Sequence, residues 1–132
     1  MQDRPTMHEL LEAVTHFLDE EVVPNLTGSR QFYSRVAANV LRTVMRELDA
    51  EETQLAAEWE RLNGLLSQEP QPLIRVELKR AIRRRTEELC QRIRHGDADA
   101  GLYREQVLAH VRELVREKLL VSNPGWIQRP AS

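Results

Sequence analysis

Apolar residues along this chain recur at spacings of three and four, and alternation with period two is almost absent, the pattern of amphipathic helices rather than strands. The first helix opens at Thr6, with Glu9 three residues on in capping-box spacing, and its apolar stripe is Leu10, Leu11, Val14, Phe17 and Leu18. Pro24, Asn25 and Gly28 then mark a turn, with Ser29 as N-cap of a second helix that runs to about Asp49. That helix carries Phe32, Tyr33, Val36, Ala37, Val40, Leu41, Val44 and Leu48 on one side. A third, from about Glu51 to Ser67, groups Leu55, Ala56, Trp59, Leu62 and Leu66, and the two prolines of "QEPQP" stop it. A fourth runs from about Leu73 to His95 with Ile74, Leu78, Ile82, Leu89 and Ile93 inward, and a fifth from about Ala100 to Val121 with Val107, Leu108, Val111, Leu114, Val115 and Leu119 inward. "SNPGW" ends the fifth and leaves a short irregular tail from about residue 123. Short turns between long amphipathic helices predict an all-α, up-and-down bundle of about five helices, forming a single domain over residues 1–132.

Composition adds limits more than assignments. A hydrophobic content of 41% suffices for a core without cross-links, and the single cysteine, Cys90, allows neither an intrachain disulfide nor a multi-thiolate metal site. With no leader-like start and no apolar run near the roughly 20 residues of a membrane span, the expected location is the cytoplasm. The formal net charge of -2 gives no general bias toward nucleic acid.

Charge is nevertheless uneven. "KRAIRRRTEELCQRIR", Lys79 to Arg94, holds seven basic residues against Glu87 and Glu88, and on a helical projection Arg80, Arg83 and Arg84 face away from the apolar stripe. This basic face is the candidate surface for an acidic partner, for coenzyme phosphates or, in the alternative reading, for nucleic acid in a small helical regulator. No glycine-turned reading helix, stacking aromatics or basic tail accompanies it, which argues against nucleic acid. Arg85 differs, projecting at the edge of the apolar stripe between Leu78 and Leu89, where it must snorkel or pair; Lys118 sits similarly near Leu114 and Val115.

Motifs that could carry chemistry do not complete themselves. His95, Gly96 and Asp97 spell the start of a kinase catalytic loop of the aminoglycoside-phosphotransferase type, but the metal-holding asparagine five residues beyond the aspartate is Leu102. The same residues are accounted for by a helix end, with Gly96 left-handed, His95 in the last turn, and Asp97 or Asp99 starting the next helix. His8, Glu12 and His16 share a helix face opposite Leu10, Val14 and Phe17, a solvated surface rather than a metal site. His110 borders the apolar stripe of the last helix as a hydrogen-bonded structural residue, and Trp59 belongs to the core. The expectation is therefore no catalytic residue, no metal and no cofactor. Two segments remain as candidate interface positions: Arg35 and Asn39, one turn apart around two alanines, and Asn123 with Trp126 beyond the last helix.

Four segments, "RPTMHELLEAVTHFLDEEVVPNL", "FYSRVAANVLRTVMREL", "LCQRIRHGDAD" and "VREKLLVSNP", together resemble a bacterial family of small helical domains of unknown function. Members are typically encoded beside an aminoglycoside-phosphotransferase-like kinase and an acyl-CoA dehydrogenase. The resemblance spans Arg4 to Pro124 and departs in Glu69 to Arg85, which is richer in proline and arginine. It implies a non-catalytic accessory subunit, similar to the small partner of kinases that phosphorylate 4-hydroxyacyl-CoA thioesters. The protein partner would be that kinase or the dehydrogenase, with no membrane involvement and room for a homo-oligomer. No catalytic residue is carried over.

Overall fold

A computed structural model describes residues 3–127, which are helical throughout their ordered elements and contain no strand among the described residues. Four α-helices follow one another: α1 (Met7–Phe17), α2 (Gly28–Leu65), α3 (Arg75–His95) and α4 (Gly101–Ser122). A π-type turn (Leu18–Val22) and a 3-10 turn (Val23–Asn25) link α1 to α2, and a last 3-10 turn (Pro124–Trp126) follows α4. The chain divides into two compact units whose boundary falls between Ala50 and Glu51.

The count is four helices, not about five, because the expected second and third helices are one. Asp49, Ala50, Glu51 and Glu52 include neither proline nor glycine, so nothing in the chain interrupts the hydrogen-bond ladder there. What does end α2 is local: Leu66 N–H still donates to Leu62 O at 2.9 Å, and Pro70 and Pro72 forbid a restart before α3.

The amino-terminal unit is an antiparallel hairpin of α1 and the first part of α2. The α1 start is closed by the expected capping box, Thr6 N–H donating to Glu9 Oε2 at 2.7 Å and Glu9 N–H to Thr6 Oγ1 at 3.2 Å. The seam between the helices is narrow, with Thr15 and Ala38 its only fully buried side chains among those described. Asp19 with Arg42, and His8 with Asp49 at 3.4 Å, pair along one edge of it, and Gln31 Nε2 donates to Val23 O at 3.0 Å beside the turn.

The carboxyl-terminal unit, by contrast, has a dense core. Trp59, Leu62, Leu65 and Leu66 of α2 and the segment after it pack with Leu78, Ile82 and Leu89 of α3 and Val107 of α4. Gly96 closes α3 at φ 95°, with Asp97 N–H reaching Arg92 O at 3.1 Å, the left-handed helix end expected from the sequence. The next helix begins close to the expected position, but its N-cap is Ala100 rather than Asp97 or Asp99, and Asp99 instead donates its N–H to Gly96 O within the turn.

Candidate functional site

Two places in the molecule gather enough unusual side chains to be functional, one in each unit. In the amino-terminal hairpin the feature is apolar. Each helix turns about 100° per residue, so on α1 the residues Met7, Leu10, Val14 and Phe17 fall to one side of the Thr15 seam. On α2 the residues Tyr33, Val40, Val44 and Leu48 fall to one side of the Ala38 seam, with Val36 at their outer edge. The Asp19–Arg42 ion pair and the His8–Asp49 contact occupy the opposite side of the hairpin, so the two apolar edges join into one face. All nine of these side chains are exposed, from 40% at Val36 to 68% at Tyr33. The sequence assigned this stripe to a bundle core, yet within its unit it covers nothing.

Arg35 and Asn39 lie on the other side, with the ion pairs. Asn39 Oδ1 accepts from Arg42 at 2.9 Å, so it orients the guanidinium that also meets Asp19. The close approach suggested by the two alanines belongs to α1 and to Ala38 alone, since Ala37 is exposed. His8 and His16 are both exposed on α1.

In the carboxyl-terminal unit the feature is a set of buried polar groups. Arg85, fully buried, stacks its guanidinium 4.8 Å from the centre of the Trp59 ring and donates to Asn63 Oδ1 at 2.8 Å, Leu62 O at 3.2 Å and Ser67 O at 2.6 Å. Its cation thus sits on carbonyls at the negative end of α2, where a helix has unsatisfied acceptors. The pairing expected of Arg85 is thus made mainly with carbonyls, with Glu69 Oε2, in the segment after α2, a longer ion-pair partner at 3.9 Å from Nη1. Asn63 is the hinge pin of the arrangement, bonded in both directions to the Glu69 backbone at 3.1 Å, which fastens the proline-bearing segment to α2.

A second polar cluster joins α2 to α4. Arg61 grips Glu117 with both terminal nitrogens, at 2.9 and 2.6 Å, and its Nε–H points to His110 Nδ1 at 3.4 Å. Burial and the Arg61 charge hold the His110 pKa below the ordinary histidine value, so the ring accepts at Nδ1 as a neutral imidazole. Burial pushes the Glu58 carboxyl up, against the pull of Arg61 and Lys118. Lys118 itself is exposed. Arg61 and His110 border a hollow of about 290 Å³ completed by Gly64, Leu65, Gln106 and Ala109. A larger hollow of about 460 Å³ lies between Leu55, Ala56, Pro72, Leu73 and Leu78. Periodicity placed His110 correctly but gave no sign of Arg61 or Glu117, which meet only through tertiary packing 56 residues apart.

The basic face is on α3 as its spacing demands, with Arg80, Arg83 and Arg84 exposed. Arg84 is drawn onto Glu69, which lowers the Glu69 carboxyl and raises the guanidinium. Asn123 caps α4 through its backbone N–H to Leu119 O at 2.8 Å, and Trp126 follows with 63% of its surface exposed. Among the described residues, no three or more His, Cys, Asp or Glu side chains are placed to hold a metal ion, and no helix is long and apolar enough to cross a membrane.

The geometry defines, among the described residues, an all-helical protein with buried polar clusters in one unit and an exposed apolar face on the other. The chain belongs to the family described as a domain of unknown function (DUF6285), whose model matches residues 24–126, from the turn before α2 to the end of the last 3-10 turn. No curated protein matches it. No solved structure matches it.

Proposed function

We propose that this chain is a non-catalytic interaction subunit, working in the cytoplasm as the accessory partner of an aminoglycoside-phosphotransferase-like kinase or the associated acyl-CoA dehydrogenase in hydroxyacyl-CoA breakdown. The observation that carries the reading is the apolar face of the hairpin. Contiguous exposed apolar surface of several hundred Å² is costly to leave in water and characterises sites where proteins meet. The identity of the partner rests on the family resemblance of the four segments quoted above, and the basic face of α3, in the other unit, is a separate charged surface.

Affinity purification from the native host tests the reading. The kinase or the dehydrogenase is the expected companion, and replacing Val40 by Glu in the middle of the face is expected to remove it. Recovery of neither enzyme with the intact chain overturns the proposal.

A further inference from the structure

The apolar face also points to its own occupant. We infer that it is the contact surface between two copies of this chain, whose hairpins close on each other as a four-helix bundle. This rests on the reading of the face as an interaction site: the second copy fills it and the enzyme meets the paired hairpins, so that a charge in the face disturbs both.

Three observations lead to a second copy. The exposed fractions of the nine side chains correspond to roughly 800 Å², about what each partner contributes to an interface of standard size. A face made of two antiparallel helices is most simply covered by two more, and a second hairpin of the same length supplies them with the same three-and-four spacing. The third observation is a leucine ladder on α2: Leu41, Leu48, Leu55 and Leu62 recur every seventh residue, the spacing of helices that pack against other helices. Leu62 is fully buried in the carboxyl-terminal unit and Leu55 packs half-buried against its core, whereas in the hairpin Leu41 is half-buried and Leu48 is 42% exposed. Among the described residues of the hairpin only Thr15 and Ala38 are fully buried, with Leu11, Leu18, Leu41 and Met45 half-buried, so much of its apolar surface is left without cover.

Light scattering during size exclusion of the full chain, across about 1 to 100 µM, where interfaces of this size commonly dissociate, is the test. The expected mass is twice 15.4 kDa. The double variant Val40→Glu/Val44→Glu is expected to weaken association at least about 100-fold, since charges enter an apolar contact. Glu12→Lys, exposed on the α1 face opposite Val14, is expected to leave it intact. Hydrogen exchange of the unmodified chain guards against misfolded variants: amides of α1 and the first part of α2 gain protection as concentration rises.

A monomer at all concentrations overturns the inference, as does a dimer indifferent to the double variant. Kinase recovery by a monomeric chain would sink the self-association and spare the accessory role. A dimer that recovers no kinase would do the reverse.

Discussion

The two units put the same kind of helix to different use. In the carboxyl-terminal unit, α2 is covered: Trp59 and Leu62 are lost to solvent, and α3 and α4 supply the partners. In the amino-terminal unit, side chains of the same character on the same helix stay in water, Val40 at 55% and Val44 at 41%. The difference teaches that an apolar stripe states only a need for cover. Whether the chain itself meets that need is decided by what else packs there, and in the hairpin a single short helix, α1, covers only the seam.

The comparison breaks first, and most severely, at Arg85. Replacing Arg85 by Ala removes a buried cation together with its stacking on Trp59, and it strands Asn63 Oδ1 and the carbonyls of Leu62 and Ser67. The expected loss is about 3–5 kcal/mol, measured by urea unfolding, because acceptors left unpaired in the interior cost their full desolvation. Arg85→Lys should recover little of it, since one ammonium cannot span three acceptors arranged for a planar fork. A loss under about 1 kcal/mol would mean that this unit does not depend on its buried polar keystone.

How much of this was legible in the sequence depends on the range of the interaction. Local signals were readable: the Thr6 and Glu9 box, Gly96 as a left-handed helix end, and the proline stop after Leu65 all act within a few residues. The burial of Trp59 and His110 followed from their place on apolar stripes. The junction at Asp49 to Glu52 misled because a short polar run was read as a break between two helices, although no residue in it interrupts the hydrogen-bond ladder. Arg61 and Glu117, or Asn63 and Glu69, could not be seen, since each pairing is specified by the fold rather than by spacing. The apolar hairpin face was assigned to a core for the same reason: periodicity reports the stripe and is silent about what covers it.

A smaller effect sharpens the contrast through pH. His110 has a folded pKa below its value in the unfolded chain, so protonation favours unfolding. The stability it contributes is fully present above about pH 6.5 and is lost as the pH falls below that toward the depressed folded value. Glu58, raised by burial, has the opposite sign: its contribution is lost as the pH rises above 4.5. The comparison that isolates the histidine is therefore between the unmodified chain and His110→Gln from pH 7.5 to 5.5. The melting temperature of the former should fall more steeply. Equal slopes would show that neither burial nor the Arg61 charge makes the imidazole costly to protonate.

The smallest effect is expected where the largest apolar stripe lies. Val44→Asp places a charge on the hairpin face at a position already 41% exposed, with no core to puncture. In chain dilute enough to be monomeric, it should change stability by no more than about 0.5 kcal/mol, as exposed substitutions do. The same substitution acquires a cost as concentration rises, because association that favours the folded pair raises its melting temperature by mass action and the charged variant forgoes that gain. Melting curves at two concentrations a hundredfold apart separate the cases. If Val44→Asp is already severely destabilising when dilute, then the hairpin face is covered within a single chain, and the contrast between the two halves of α2 disappears.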